Sequence, residues 1–300
     1  MKVFVTGATG FIGSAIVREL LSAGHQVLGL ARSDTAAASL AAAGAEVQRG
    51  ALDNLDSLRS GAAASDGVIH LAYVHDFSQY EAAARTDHRA IETLGEALKG
   101  SDRPLVITSG TALLPLGRLV TEEDTPDAGR FTAVRGAAEE VALSFATRGV
   151  RVSVVRPAPS VHGEGDHGFV ATLIGIAREK GVSGYIGDGS NRWPAVHRLD
   201  AAHLFRLAVE AAPAGSRLHG AGEEGVPFRG IAEAIGRQLK LPVVSIAAED
   251  AGEHFGWFSA IVSVDNPTSS VLTRERLGWQ PKGPSLIADI EQGHYFNHER

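Results

Sequence analysis

Val3-Phe4-Val5-Thr6-Gly7-Ala8-Thr9-Gly10-Phe11-Ile12-Gly13 joins a short β-prone strand to a turn broken by glycine. Beyond the turn, Phe11, Ile12, Ala15, Ile16, Leu20 and Leu21 recur at helical spacing, and Gly24 follows where a helix would stop. The glycines allow a tight turn that brings backbone N–H groups toward an anion at the helix N-terminus. Gly13 would let that helix sit close against the strand. A glycine pattern alone is weak, but strand, glycine turn and amphipathic helix in this order are the setting of a dinucleotide site. Gly7, Thr9, Gly10, Phe11, Ile12 and Gly13 are its candidate residues. A purely structural glycine turn is the alternative.

The rhythm continues outward. Further strands are predicted at residues 27–30, 46–49, 68–72, 105–108 and 150–156. Helices are predicted between them at 35–43, 55–64, 80–98 and 133–147. Strands alternating with helices at this spacing predict a doubly wound α/β fold, a parallel sheet covered on both faces. After Arg156 the pattern changes. Pro157, Pro159, Gly163, Gly165 and Gly168 crowd one stretch, and helices are predicted near 169–180, 200–211, 228–239 and 286–295. A glycine-rich loop is predicted over 184–193 and a strand over 243–246. The organisation expected is a dinucleotide-binding domain over 1–160, rejoined by roughly 190–215, with a smaller substrate lobe from 161–189 and 216–300.

Composition narrows the chemistry. Twenty-eight Lys and Arg against 35 Asp and Glu give a net charge of −7, so no broad basic field invites nucleic acid. The absence of cysteine excludes disulfides, thiolate metal sites and cysteine nucleophiles. The opening apolar run is too short for a signal-peptide core, and no stretch reaches the ~18 apolar residues of a membrane span. A cytoplasmic protein without a membrane or nucleic-acid partner is therefore expected.

The end of the second strand discriminates between dinucleotides. An acidic residue there suits the ribose of NAD, whereas an arginine suits the extra phosphate of NADP. The chain has Ala31-Arg32-Ser33-Asp34, which favours NADP(H), with NAD(H) as the alternative. Arg32 stands where a phosphate clamp is wanted and Ser33 adds a hydroxyl. The competing reading is an exposed arginine opening a loop, with Asp34 capping the next helix.

Gly7–Gly13, Leu52-Asp53, His70-Leu71-Ala72 and Arg156-Pro157, in this order, resemble the extended short-chain dehydrogenase/reductases, the NAD-dependent epimerase/dehydratase family. The resemblance runs on through Gly187-Asp188-Gly189, Val196-His197-Arg198-Leu199-Asp200 and Leu277-Gly278-Trp279-Gln280-Pro281, and so spans nearly the whole chain. It implies that Asp53 meets the adenine, or else caps the following helix. It also implies that Leu71, Ala72 and Pro157 lie along the cofactor, with simple strand packing as the alternative for Ala72. A homodimer through the helices at 80–98 and 133–147 is implied as well.

The family's usual chemistry uses a tyrosine as acid/base and a lysine one helical turn later, with a serine or threonine after the fifth strand. The matching segment here is Phe131-Thr132-Ala133-Val134-Arg135-Gly136-Ala137-Ala138-Glu139. Phe131 stands for the tyrosine and Arg135 for the lysine, which marks an atypical member. Phenylalanine moves no proton, whereas arginine keeps a charge that can hold ribose hydroxyls; a surface helix charge is the alternative for Arg135. The hydroxyl position falls on Gly110, flanked by Ser109 and Thr111, either of which could serve.

Among the four tyrosines, only Tyr73 follows the fourth strand, where a parallel sheet opens toward its ligand. His75 and Asp76 come next, a pair that could orient an imidazole as acid or base; ordinary loop packing is the alternative for Tyr73 and His75. The loop His162-Gly163-Glu164-Gly165-Asp166-His167 borders the nicotinamide and substrate in the resembling family. It makes His162 a candidate proton carrier, with a plain polar loop as the alternative; a metal site with His197 matches no established ligand spacing. Asn191 and Trp193 resemble positions facing the substrate lobe, with lobe packing as the alternative for Trp193. Together these readings predict an NADP(H)-dependent oxidoreductase of the carbonyl reductase or alcohol dehydrogenase type. Its substrate is small and organic, and Tyr73, Ser109, Thr111 and His162 are the candidate catalytic residues. A non-catalytic NADP(H)-binding redox sensor and a sugar-nucleotide epimerase or dehydratase are the alternatives.

Overall fold

A computed structural model describes residues 1–74, 79–129 and 133–296. The first half alternates β1 (Lys2–Thr6), α1 (Phe11–Ser22), β2 (Gln26–Ala31), α2 (Asp34–Ala42), β3 (Glu46–Arg49), α3 (Leu55–Ala63), β4 (Gly67–His70), α4 (Tyr80–Leu98), β5 (Pro104–Thr108), α5 (Ala133–Leu143) and β6 (Arg151–Pro157). The second half holds β7 (Ser160–His162), α6 (Phe169–Lys180), β8 (Ser183–Ile186), β9 (Arg192–His197), α7 (Arg198–Ala211), β10 (Ser216–Gly220), β11 (Glu223–Pro227), α8 (Phe228–Leu239) and β12 (Val243–Ile246). Four short helices end it: α9 (Ala251–Phe255), α10 (Ser259–Val262), α11 (Val271–Leu277) and α12 (Leu286–Glu291).

Seven strands form one sheet in the order β10-β6-β5-β4-β1-β2-β3, and every neighbouring pair in it is parallel. Alternation along each strand divides its side chains between two layers. Val3, Val5, Ile69, Val106 and Val155 pack toward Ile16 and Leu20 of α1 and Leu204 and Phe205 of α7. Phe4, Val68, Leu105, Ile107 and Val154 pack toward Leu58 of α3, Ile91 and Leu94 of α4, and Phe145. Full burial of each such side chain stabilises the fold by roughly 1.5–3 kcal/mol. The doubly wound α/β architecture expected from the alternation is the one observed.

Several expectations are corrected. The stretch predicted as a loop at 184–193 contains most of β8 and the start of β9, which pairs antiparallel with β11 and parallel with β7. Glycine and polar residues hid these short strands. The fourth strand stops at His70, leaving Leu71 and Ala72 beyond its end. The helix predicted to 147 stops at Leu143 and runs on as a 3-10 turn, Ser144–Arg148. The terminal helix stops at Glu291. The segment assigned to the lobe, 216–300, gives the main sheet its edge strand β10, whose sequence Ser216-Arg217-Leu218-His219-Gly220 carries one apolar side chain. Trp193 is packing: it is 1% exposed among Phe169, Phe228 and Phe258, and Asn191 donates to the carbonyls of Val262 and Val264. Among the described residues, no helix is long and apolar enough to cross a membrane.

A buried ion pair ties α5 to the sheet. Arg156 of β6 donates Nε–H to Glu139 Oε1 at 2.9 Å and a second N–H to Oε2, and both side chains are 0% exposed. Arg156 also donates to the Asp124 carbonyl at 2.9 Å and to His219 Nε2 at 3.2 Å. His219 in turn donates Nδ1–H to the Ser269 carbonyl at 2.8 Å. Burial, then the adjacent Arg156 charge, pushes His219 down to about 3, so it stays neutral. Glu139→Ala would leave Arg156 charged without a carboxylate in the interior. It is expected to cost about 3–5 kcal/mol, read as a lower midpoint in urea unfolding.

Candidate functional site

The site is built where the order of the strands reverses. β1 lies between β2 and β4, and the connections leave toward opposite edges, so a crevice opens at the C-terminal ends of β1 and β4. Gly7 turns the chain there with φ +67°, and a Cβ on it would stand 2.8 Å from the Ala72 nitrogen. At Gly13 a Cβ would stand 2.0 Å from the Gly7 carbonyl oxygen, so only glycine allows α1 this close to the turn. Thr9 and Gly10 are exposed, and Phe11 and Ile12 are half-buried. Helix α1 has no side-chain cap and no acidic residue in its first turn. Its N-terminal amides and positive dipole end therefore fit an anionic ligand.

Buried polar groups hold the other wall. His70, 2% exposed, donates Nε2–H to Asp87 Oδ1 at 3.1 Å, because a carboxylate can only accept. Its Nδ1 then accepts the Thr6 hydroxyl proton at 2.8 Å. The Thr6 oxygen accepts the N–H groups of Leu71 and Ala72, both at 3.2 Å. Thr108 adds a bond to the His70 carbonyl at 2.9 Å. One hydroxyl thus positions the peptide that faces Gly7.

At the far end of the crevice, Arg32 is exposed just past β2. Ser33, not Asp34, caps α2 by accepting the Ala36 N–H at 3.2 Å, and Asp34 instead pairs with Arg49 at the end of β3. Arg49 is in register with Ala31, and its charge is taken by Asp34. Asp53 is exposed and does not cap α3; Asn54 does, accepting the Ser57 N–H at 3.2 Å.

The catalytic candidates separate. The Arg135 guanidinium lies 4.1 Å from the Tyr73 ring centroid, a cation–π contact that unites two residues 62 positions apart in the chain. Burial raises the Tyr73 phenol above its ordinary value of 10.0, against the opposing pull of Arg135. Ser109 is buried, and its Oγ has no hydrogen-bond partner among the described residues. Thr111 is 0% exposed and donates to Asn266 Oδ1 at 3.3 Å, so its hydroxyl is committed to packing. Gly110 is half-buried, with nothing closer than 4.0 Å to where a Cβ would stand, and Pro157 is buried at the end of β6. His75, Asp76 and Phe131 lie outside the described residues.

His162 does not meet its expectation. It is 0% exposed, and its Nδ1 pairs with Asp289 Oδ2 of α12 at 3.0 Å. Burial pushes the Asp289 carboxyl up, but hydrogen bonds from His162 and His294 outweigh it and hold the group low. Its Nε2 is buried with no hydrogen-bond partner among the described residues. The loop after it does border open space, a cavity of about 310 Å³ lined by Glu164, Asp166, Arg178 and Tyr295. Tyr295 donates to Asp166 Oδ2 at 2.9 Å, and burial raises the Asp166 carboxyl.

Sequence reasoning missed Thr6, Asp87 and Arg49, whose roles depend on partners in other elements; only the His70 motif hinted at the first two. Thr6→Val keeps the shape but strips the Ala72 amide and His70 Nδ1 of their partner, whereas the Leu71 amide keeps the Thr6 carbonyl at 3.3 Å. It is expected to cost about 1–3 kcal/mol in urea unfolding.

A model of the NAD dependent epimerase/dehydratase family matches residues 3–219. The chain is 52% identical to an uncharacterized protein of Schizosaccharomyces pombe over 300 residues, covering 99% of this chain and 100% of the relative. It is 30% identical over 230 residues to the 4-hydroxy-2-methyl-3-oxo-4-farnesyl-3,4-dihydroquinoline-1-oxide ketoreductase of Stigmatella aurantiaca, covering 72% of this chain and 66% of that one. The solved dTDP-glucose 4,6-dehydratase DesIV of Streptomyces venezuelae, a double mutant with NAD bound, shares the fold with a TM-score of 0.79. Its identity is 20%, with 100% of this chain and 98% of that chain covered. With its glycine turn, its crevice at the strand reversal and a family match over more than two thirds of its length, the chain belongs to the NAD dependent epimerase/dehydratase family.

Proposed function

We propose that the protein is an oxidoreductase that uses a nicotinamide dinucleotide, NADP(H) in preference to NAD(H), on the carbonyl or alcohol group of a small organic substrate. The observation that carries this reading is the uncapped, acid-free N-terminus of α1 facing the crevice between β1 and β4. Gly7, Gly10 and the α1 amides would hold the diphosphate, Asp53 the adenine, and Leu71 and Ala72 the central ribose. Arg32 would hold a 2′-phosphate, and the absence of an acidic residue at the tip of β2 supports that preference. The ketoreductase named above supports carbonyl chemistry.

When bound, the nicotinamide supplies hydride chemistry. The chain's own task in reduction is to hold the substrate oxygen and deliver a proton to it. Ser109 Oγ, with no other partner among the described residues, suits the first role. Tyr73 suits the second, because a phenol raised by burial keeps its proton at neutral pH and is a donor rather than a base. Arg135 remains charged and takes the lysine's place at the ribose hydroxyls.

Arg32→Ala should weaken NADPH binding at least tenfold while leaving NADH binding nearly unchanged, by calorimetric titration; equal effects on both would remove the NADP preference. Tyr73→Phe should lower kcat for NADPH oxidation about 10²-fold or more across a panel of aldehydes, ketones and quinones, with NADPH affinity retained. Wild-type protein that binds NADPH but turns over none of the panel would favour the sensor reading.

A further inference from the structure

Arg198, the first residue of α7, carries a charge with no ion-pair partner among the described residues. Its guanidinium lies 4.7 Å from the Phe11 ring centroid, over the first residue of α1. It donates to the Glu164 carbonyl at 2.6 Å and to Ser14 Oγ at 3.3 Å, both neutral acceptors. Its Nε is buried and unpartnered. No described carboxylate stands within ion-pair distance of it, whereas Arg49, Arg156, Arg192 and Arg206 each have one.

The surroundings are positive as well. Burial first, and the charge of Arg18 on α1 next, lower the Arg198 pKa, and the more distant Glu164 carboxylate offsets them only in part. The adjoining α1 terminus adds the positive end of its dipole, with no acid in the first turn to offset it. A half-desolvated cation beside a second positive pole is unfavourable unless an anion completes the site.

We propose that Arg198 is a cofactor-binding residue that meets the diphosphate of the dinucleotide from the side opposite the glycine turn, closing the anion site that α1 begins. This rests on the dinucleotide reading above and adds to it a residue from outside the βαβ unit. The bond to the Glu164 carbonyl gives Arg198 a fixed approach, since that loop also reaches Phe11 through His167, ring edge to ring at 5.9 Å. The arrangement places the anion between a backbone nest and one guanidinium, a pairing stronger than either alone.

The test uses ADP-ribose, which carries the diphosphate but no nicotinamide, with the wild type, Arg198→Gln and Arg198→Lys. Calorimetry should show ADP-ribose binding weakened about tenfold or more in Arg198→Gln and largely restored in Arg198→Lys. The ligand-free melting midpoint of Arg198→Gln should equal or exceed the wild type, because the variant relieves an uncompensated charge. Unchanged ADP-ribose affinity in Arg198→Gln would overturn the assignment. A lowered ligand-free midpoint, with Lys no better than Gln, would also overturn it and make Arg198 a structural tether. Wild-type protein that binds neither ADP-ribose nor NADPH would overturn the dinucleotide reading itself, and this assignment with it.

Discussion

The missing side chain of Gly13 is the constraint on which the site depends. A Cβ at this position would stand 2.0 Å from the Gly7 oxygen, so no other residue lets α1 run so close to the end of β1. Closeness sets direction. Because α1 is pressed onto β1, its free amides point across the crevice rather than into solvent beside it, and the dipole end falls where the order of the strands reverses. The opposite wall needs equal definition, which the Asp87–His70–Thr6 chain supplies by seating the Leu71–Ala72 amides on one oxygen.

Two kinds of polar group thereby stand side by side. Those beneath the crevice are fully partnered: the Thr6 hydroxyl gives one bond and takes two, and Arg156 satisfies Glu139, a carbonyl and a neutral histidine together. Partnering of this completeness makes a buried network rigid. Those at the rim are left incomplete, namely the α1 amides and the Arg198 guanidinium. Rigid support under unsatisfied groups is the arrangement expected of a binding site, where the ligand supplies the missing partners.

Most of the framework was legible because it follows local rules. The helices Tyr80–Leu98, Phe169–Lys180 and Phe228–Leu239 and the strand Glu46–Arg49 fall where periodicity and glycine stops put them. Strand β10 was not legible, since its burial comes from His219 finding Arg156 rather than from apolar alternation. Capping was legible only as residue type: Ser33 and Asn54 take the roles that Asp34 and Asp53 were candidates for, one position away. Asp87 and Arg198 carried no role that their own stretch of sequence could assign. A carboxylate in a helix and a cation in a motif acquire meaning only when another element arrives beside them, as for Thr111, whose hydroxyl is taken by Asn266 from 155 residues further on.

The contact between Arg135 and Tyr73 bears most directly on chemistry. In the resembling family a lysine and a tyrosine one helical turn apart cooperate. Here the cation stays on α5 while the phenol comes from the end of β4. A guanidinium over the ring favours the phenolate, burial favours the phenol, and burial is the larger effect. The balance leaves a proton on Tyr73 at neutral pH and a fixed positive charge beside it. The two effects oppose each other on one phenol, and the contact ties the segment after β4 to α5 across 62 residues of chain.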